Sequence, residues 1–354
     1  MSTLINNSEY NDWIKELRSK IRNTQLKAVK SANAILLQFY WELGKDISEK
    51  LATGKWGNKL IEQIAADLKK ELPEVKGFSR TNLYYISQFY KTFAKASYQS
   101  LFVEQGTQKI KEAIIPQLGG QLPWSHIKVL ISKIKEAEQT YFYIKQTIKN
   151  GWSRDELSTQ IKYKLHERQG KAISNFEENL ANANSALIQE TTKDPYIFDF
   201  LSLTEPYQEK DIENQLVNHI SKFLLELGKG FAFIGKQYHL EIAKQDYYLD
   251  LLFYHIKLKC YVVVELKNKK FIPEYAGKLN FYLSAVDNIL KAENDNPSIG
   301  ILLCTEKNNI EVEFSLRGMS QPIGVSEFIV TENLPDDLKS SLPTIEELER
   351  ELEK

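Results

Sequence analysis

Residues 247–270, YYLDLLFYHIKLKCYVVVELKNKK, restrict the fold more than any other stretch of the chain. Two runs rich in β-branched and aromatic residues, 246–255 and 260–267, are separated by too few residues for anything but an antiparallel hairpin. With Lys257-Leu258 as the turn, facing residues have numbers that sum to 515, so His255 faces Cys260 and Asp250 faces Glu265. Directly opposed side chains have Cβ atoms ~5 Å apart. Glu265 and Lys267 lie two positions apart and project from one face. This register gathers Asp250, Glu265 and Lys267 on one side of the sheet, and a slip by one residue would scatter them.

Two opposed acids repel unless a cation lies between them. Lys267 alone would make a structural ion pair. A hard divalent cation with oxygen ligands would do the same and add chemistry. In that second reading the metal activates water at a phosphodiester, and Lys267 orients the nucleophile or stabilises developing charge.

The surrounding sequence builds a mixed α/β layer. Residues 209–227 read as a helix with Ile212, Leu216, Phe223 and Leu227 as its core stripe. Glu213 shares a row with Val217, Ile220 and Leu224, so its carboxylate leans toward the core and needs a partner. Either it belongs to the acid site or it complements the start of the helix dipole. Strands follow at 231–242, 246–255 and 260–267, then a helix at 272–291 and strands at 298–305 and 322–330. The expected domain is therefore αβββαβ with a final strand.

Residues 1–170 carry helical apolar spacing and almost no alternation. Spans 13–21 and 26–47 read as helices. Residues 58–72 place Leu60, Ile61, Ile64, Ala65, Leu68 and Leu72 on one face, and Pro73 and Gly77 end that helix. Ser79 is the expected N-cap of the next one, over 79–93. There Leu83, Ile86, Tyr90 and Phe93 turn inward, while Arg80, Tyr84, Gln88 and Lys91 share the outer side. A helix pair with a basic, amide-bearing, aromatic face suits a DNA-reading unit. An ordinary pair with a solvated face has the same pattern, and the connection over 73–78 is longer than the about three to four residues of a helix-turn-helix. A helix is expected behind Ser125, and Ser153 with Glu156 forms a capping box.

Charge divides unevenly. Residues 1–190 carry a balance of +8 and residues 191–354 a balance of −9, which suits a first half that meets a polyanion and a second half that binds cations. No apolar run is long enough to span a bilayer, and the first residues lack the basic and apolar blocks of a secretion signal. Cys260 and Cys304 lie in apolar strands and read as buried thiols. A reducing cytoplasm is the expected location.

Asp250, fourteen intervening residues, then Glu265-Leu266-Lys267 resembles the D-x(n)-E-x-K signature of the PD-(D/E)xK nuclease superfamily. FAFIGKQYHLEI, DYYLDLLFYH, VVVELK, PEYAGKLNFYLSAVD and PSIGILLC resemble its YhcG-like branch, and LPWSH and GWSRDEL resemble that branch's N-terminal helical domain. The resemblance covers nearly the whole chain. It implies a restriction-endonuclease-like fold in which Asp250, Glu265 and the Leu266 carbonyl hold Mg²⁺ or Mn²⁺, with Lys267 as the catalytic lysine. Glu213 matches the acid that many members carry on the first helix, and Gln237, Tyr238 and Tyr275 are further carry-overs. Two departures stand out. Relatives often carry Gln where this chain has Lys278, and the leading acid sits in LDLL and not after a proline. Lys278 either pre-empts a hydrogen bond in the site or adds a phosphate contact.

The resulting expectation is an α+β, two-domain, metal-dependent nuclease. Residues 1–170 would form a helical DNA-binding domain, 171–190 a linker helix, 191–331 the nuclease domain and 332–354 an acidic tail. The expected partner is DNA, with RNA and self-association left open, and no membrane. The alternative is a catalytically silent nucleic-acid-binding or assembly protein that keeps the nuclease fold.

Overall fold

The computed structural model describes residues 8–53, 59–102, 118, 121–201 and 208–330. The acidic tail expected over 332–354 lies outside the described residues. The chain divides into two compact units, one centred on Met1–Ile161 and the other on Lys162–Lys339.

The first unit is helical: α1 (Ser8–Ala52), α2 (Leu60–Glu71), α3 (Arg80–Phe93), α4 (Ala96–Phe102), α5 (Trp124–Lys133), α6 (Ala137–Asn150) and α7 (Arg154–Lys162), which ends at the boundary. The two helices expected over 13–47 are one continuous helix, because no Gly or Pro interrupts the chain between Ser8 and Leu43. Gly44 marks where α3 crosses α1. A Cβ there would stand 2.3 Å from the Ile86 carbonyl oxygen, so only glycine permits the approach. Trp41 of α1 meets Phe89 and Tyr90 of α3 edge-on, and Leu83, Ile86 and Phe93 are buried beside them. Ser79 caps α3 by accepting from the Asn82 N–H, and Ser153 and Glu156 cap α7 reciprocally. The helix expected behind Ser125 starts two residues earlier, with Pro123 at its N-cap.

The second unit is a mixed sheet between two helical layers. It contains a single-turn helix α8 (Leu165–Arg168), β1 (Ile173–Ser174), α9 (Phe176–Asn179), α10 (Asn182–Thr191), β2 (Tyr196–Phe198), α11 (Glu209–Asn218) and α12 (Ile220–Leu227). Then come β3 (Phe231–Ile242), β4 (Gln245–His255), β5 (Cys260–Lys270), α13 (Pro273–Ile289), β6 (Ile299–Glu306), α14 (Asn309–Leu316) and β7 (Ile323–Val330). The strand order is β1-β7-β6-β5-β4-β3, with β2 also pairing β7. Strands β3, β4 and β5 are antiparallel neighbours, and β5, β6 and β7 run parallel. The expected succession of helix, three strands, helix, strand and final strand is the observed one. The single helix read over 209–227 is broken at His219 into α11 and α12.

The stretch 171–190, read as a linker helix, is an integral part of this unit. Ile173 and Ser174 pair with Val325 and Gly324, and Phe176 is fully buried against the sheet. A two-residue strand has no periodicity of its own, so only its tertiary partner reveals it.

Alternation divides the core. Leu251, Phe253, Val262, Val264 and Leu266 pack against α11 and α12 through Ile212, Leu216, Phe223 and Leu227. Leu252, Val263 and Leu302 pack against α13 through Ala276, Leu279, Leu283 and Val286. Burial on both faces explains why β5 and β6 are nearly continuous apolar runs. Truncating a fully buried leucine such as Leu283 would cost about 2–5 kcal/mol. The sheet thus fixes the C-terminal end of β5 between α11 on one side and α13 on the other.

Candidate active site

The β4–β5 ladder runs from His255↔Cys260 to Leu251↔Val264, the register deduced from residue numbers. The connection is residues 256–259 and not a two-residue turn, with Lys259 closing it at φ 49°. The longer loop is centred on the same pair, so the register is unchanged.

Beyond Leu251 the regular ladder stops, and the carboxylates take over its hydrogen bonds. The Leu266 N–H donates to Asp250 Oδ2 at 2.9 Å, and the Asp250 N–H donates to Glu265 Oε1 at 3.3 Å. Each acid satisfies a backbone amide that would otherwise lack a partner. Side-chain alternation slips at the same place: Leu249 and Leu252, three apart, both pack on the α13 side, while Leu251 packs on the other. A matching irregularity occurs on β3, where Gln237 has φ 45°, a region that residues other than glycine seldom enter. Such a conformation persists only when its surroundings enforce it. The Gln237 amide donates to Glu213 Oε2 at 2.6 Å and reaches Asp250 Oδ1 at 3.5 Å.

Lys267 stands at the centre. Its Nζ lies 3.5 Å from Asp250 Oδ2, 3.6 Å from Glu265 Oε2 and 3.3 Å from Glu209 Oε2. It also donates to the Leu266 carbonyl oxygen at 2.5 Å. The Tyr275 ring lies beneath it, 5.8 Å from the centroid. Lys278, one turn further along α13, brings a second ammonium to 3.4 Å from Glu265 Oε2.

Acids outnumber bases here, and the titration behaviour follows. Burial and the Asp250 charge push the Glu265 carboxyl up to about 7, with Lys278 and Lys267 offsetting only part of the shift. Burial also raises Glu213, helped by the Asp250 charge and opposed by the Gln237 hydrogen bond. Burial works against the Lys267 ammonium, but Asp250, Glu265 and Glu209 outweigh it and hold the group above its ordinary value. Lys267 is therefore a cation at neutral pH, a donor and not a base.

Among the described residues no three His, Cys, Asp or Glu side chains group closely enough to hold a metal ion together. The donor set at this site is instead two carboxylates and a backbone carbonyl, all converging on one ammonium nitrogen. An all-oxygen set that already surrounds a cation fits a hard divalent ion, which would complete its shell with water and phosphate oxygens.

Asp250, Glu265, the Leu266 carbonyl and Lys267 are therefore brought together. Glu213 joins them through Gln237, which bonds it and reaches Asp250. Lys278 contacts Glu265 and not solvent alone. Tyr238 packs against the α13-side core. Glu209 was not foreseen; it lies four residues before Glu213, and that helical spacing was the available signal. Arg80, Tyr84, Gln88 and Lys91 all lie half-buried on α3. Arg80 is ion-paired to Glu62 at 2.9 Å and stacks over Tyr84, and burial lowers the Lys91 ammonium. Cys260 and Cys304 are buried free thiols. No helix among the described residues is long and apolar enough to cross a membrane.

Comparison with known proteins gives a consistent result. Residues 189–343 match the YhcG PDDEXK nuclease domain, and residues 16–168 match the DUF1016 N-terminal domain. The chain is 30% identical over 336 residues to the protein named "Putative nuclease YhcG" of Escherichia coli (strain K12), covering 90% of this chain and 88% of that one. The crystal structure of a repair endonuclease from Pyrococcus abyssi aligns with 35% of this chain and 48% of its own, at 18% identity and a TM-score of 0.24, too distant to bear on function.

Proposed function

The chain belongs to the YhcG-type PDDEXK nuclease family, and from that premise we propose that it hydrolyses phosphodiester bonds of DNA with Mg²⁺ or Mn²⁺. The observation that carries this reading is the convergence of Asp250, Glu265 and the Leu266 carbonyl on the Lys267 ammonium. These three donors would hold the metal. Bound there, it would supply an activated water and neutralise charge on the phosphate. Lys267, displaced from the carbonyl but still cationic, hydrogen-bonds the attacking water or the non-bridging oxygen on which charge develops. Glu213 and Glu209 act at one remove: Glu213 fixes Gln237 against Asp250, and Glu209 holds the Lys267 ammonium in place.

We assign substrate positioning to the helical unit. Its support is the net positive charge of the first half and the α3 face of Arg80, Tyr84, Gln88 and Lys91. Release of Arg80 from Glu62 would free it for phosphate.

The test is a cleavage panel of plasmid, linear, branched and single-stranded DNA, with RNA alongside, in each metal. Wild type is expected to cut at least one DNA substrate, and Asp250→Ala to lose about 10³-fold in rate. Cleavage of RNA alone would redirect the substrate assignment. Equal behaviour of wild type and Asp250→Ala on every substrate would leave a nuclease fold without catalysis.

A further inference from the structure

The β3–β4 hairpin continues past the acids as an arm. In it Tyr238, Leu240, Tyr247 and Leu249 pack on the α13-side core. Alternation therefore turns His239 and Tyr248 outward, and the two are paired across the strands. Tyr248 is 49% exposed although it is a large aromatic residue. The two rings lie 5.3 Å apart with a 40° tilt. His239 Nε2 bonds Asp246 Oδ1 at 2.6 Å, which fixes the plane of the imidazole. A tight turn at Ala243 and Lys244, both with positive φ, closes the arm and places a lysine at its tip. The pair lies two residues from Gln237 and Asp250, about 7 Å along the strands.

We propose that His239 and Tyr248 form a stacking platform for an unpaired nucleobase beside the scissile phosphate, so that the substrate strand is single or frayed at the cut. The proposal rests on the nuclease reading of the Asp250 site. A base has to leave its duplex stack to lie on an aromatic side chain, and stacking of this kind is indifferent to sequence. The spacing suits it, because a nucleotide whose phosphate reaches Asp250 and Glu265 has its base within reach of the adjoining rings. A cross-strand aromatic pair also stabilises a hairpin. That structural role alone would not distinguish one nucleotide position in a bound strand from another.

The experiment uses the full chain with single-stranded and duplex DNA and, in parallel, strands carrying one abasic site at successive positions. Tyr248→Ala is expected to raise KM for single strands about tenfold, with Tyr248→Phe close to wild type and Mn²⁺ affinity unchanged. An abasic nucleotide beside the cut should weaken wild type and leave Tyr248→Ala indifferent. Equal KM values, or the same abasic penalty in both proteins, would overturn the platform while leaving the nuclease intact. If wild type cuts nothing, the nuclease reading fails on its own. Fluorescence anisotropy then decides the platform: loss of single-strand affinity in Tyr248→Ala supports it, and equal affinity refutes it.

Discussion

Two charge clusters of the second unit are built differently. Glu226 receives Arg168 at 2.5 Å, Lys193 at 3.0 Å and the Ile197 N–H at 3.0 Å. One acid meets two cations. Burial alone would raise the Glu226 carboxyl, but Lys193 and Arg168 bring it below its ordinary value. Lys193 instead bears the cost of burial and falls to about 8. Arg168 also donates to the carbonyls of Tyr163 and Pro195, so the cluster ties α8, β2 and α12 together. At Glu265 the proportions are reversed. Asp250, Glu265 and Glu209 share Lys267, Lys278 adds a second ammonium, and Glu265 is pushed up. A buried acid that its cations outnumber stays ionised and fastens a fold. A cluster with excess acid is under electrostatic strain until another cation arrives.

Removing one acid from each cluster should therefore have opposite consequences. Glu226→Ala leaves two buried cations uncompensated, and a loss of about 3–5 kcal/mol in denaturant unfolding is expected. Glu265→Gln removes a repulsion and should leave metal-free stability unchanged or slightly raised. Comparable destabilisation by the two substitutions would erase the distinction.

The pH dependence of folding separates the clusters more finely. The Glu265 carboxyl has a folded value above its unfolded one, so in metal-free buffer the folded state keeps a proton that the unfolded chain has released. Its contribution is fully present below the ordinary carboxylate range and is lost as pH rises to about 7, by at most ~3 kcal/mol. Glu226 has a depressed value, so its contribution is present above the ordinary range and is lost as pH falls through the folded one. Relative to wild type, Glu265→Gln should flatten the stability loss between about pH 5 and 7. An identical slope in both proteins would contradict the raised carboxyl.

The smallest expected effect belongs to Lys278. Its ammonium competes for Glu265 Oε2, so Lys278→Gln should tighten Mn²⁺ binding by roughly threefold to tenfold, as one half-exposed charge allows. Unchanged affinity would place Lys278 outside the electrostatics of the site.

Much of this centre could be read in the sequence, for a specific reason. Side-chain alternation is strict in a hairpin, so residue numbers alone placed Asp250 opposite Glu265 and set Lys267 beside them. The same regularity hid what departs from it. The positive φ of Gln237 and the slip between Leu249 and Leu252 are local exceptions, invisible to a period of two. Glu209 looked like an ordinary acid in the first turn of a helix until the fold brought Lys267 to it. Residues 171–190 looked like a linker because β1 exists only through β7. In the helical unit, an outward-facing basic row was legible on α3, but the pairing of Arg80 with Glu62 on a neighbouring helix was not.

Calorimetric titration with Mn²⁺ of wild type and of the protein carrying both Asp250→Ala and Glu265→Ala tests the central claim most directly. The account predicts a saturable site in wild type, tightening as pH rises through about 7, and no such site in the double variant. Binding of equal strength in both proteins, or none in wild type, would contradict it.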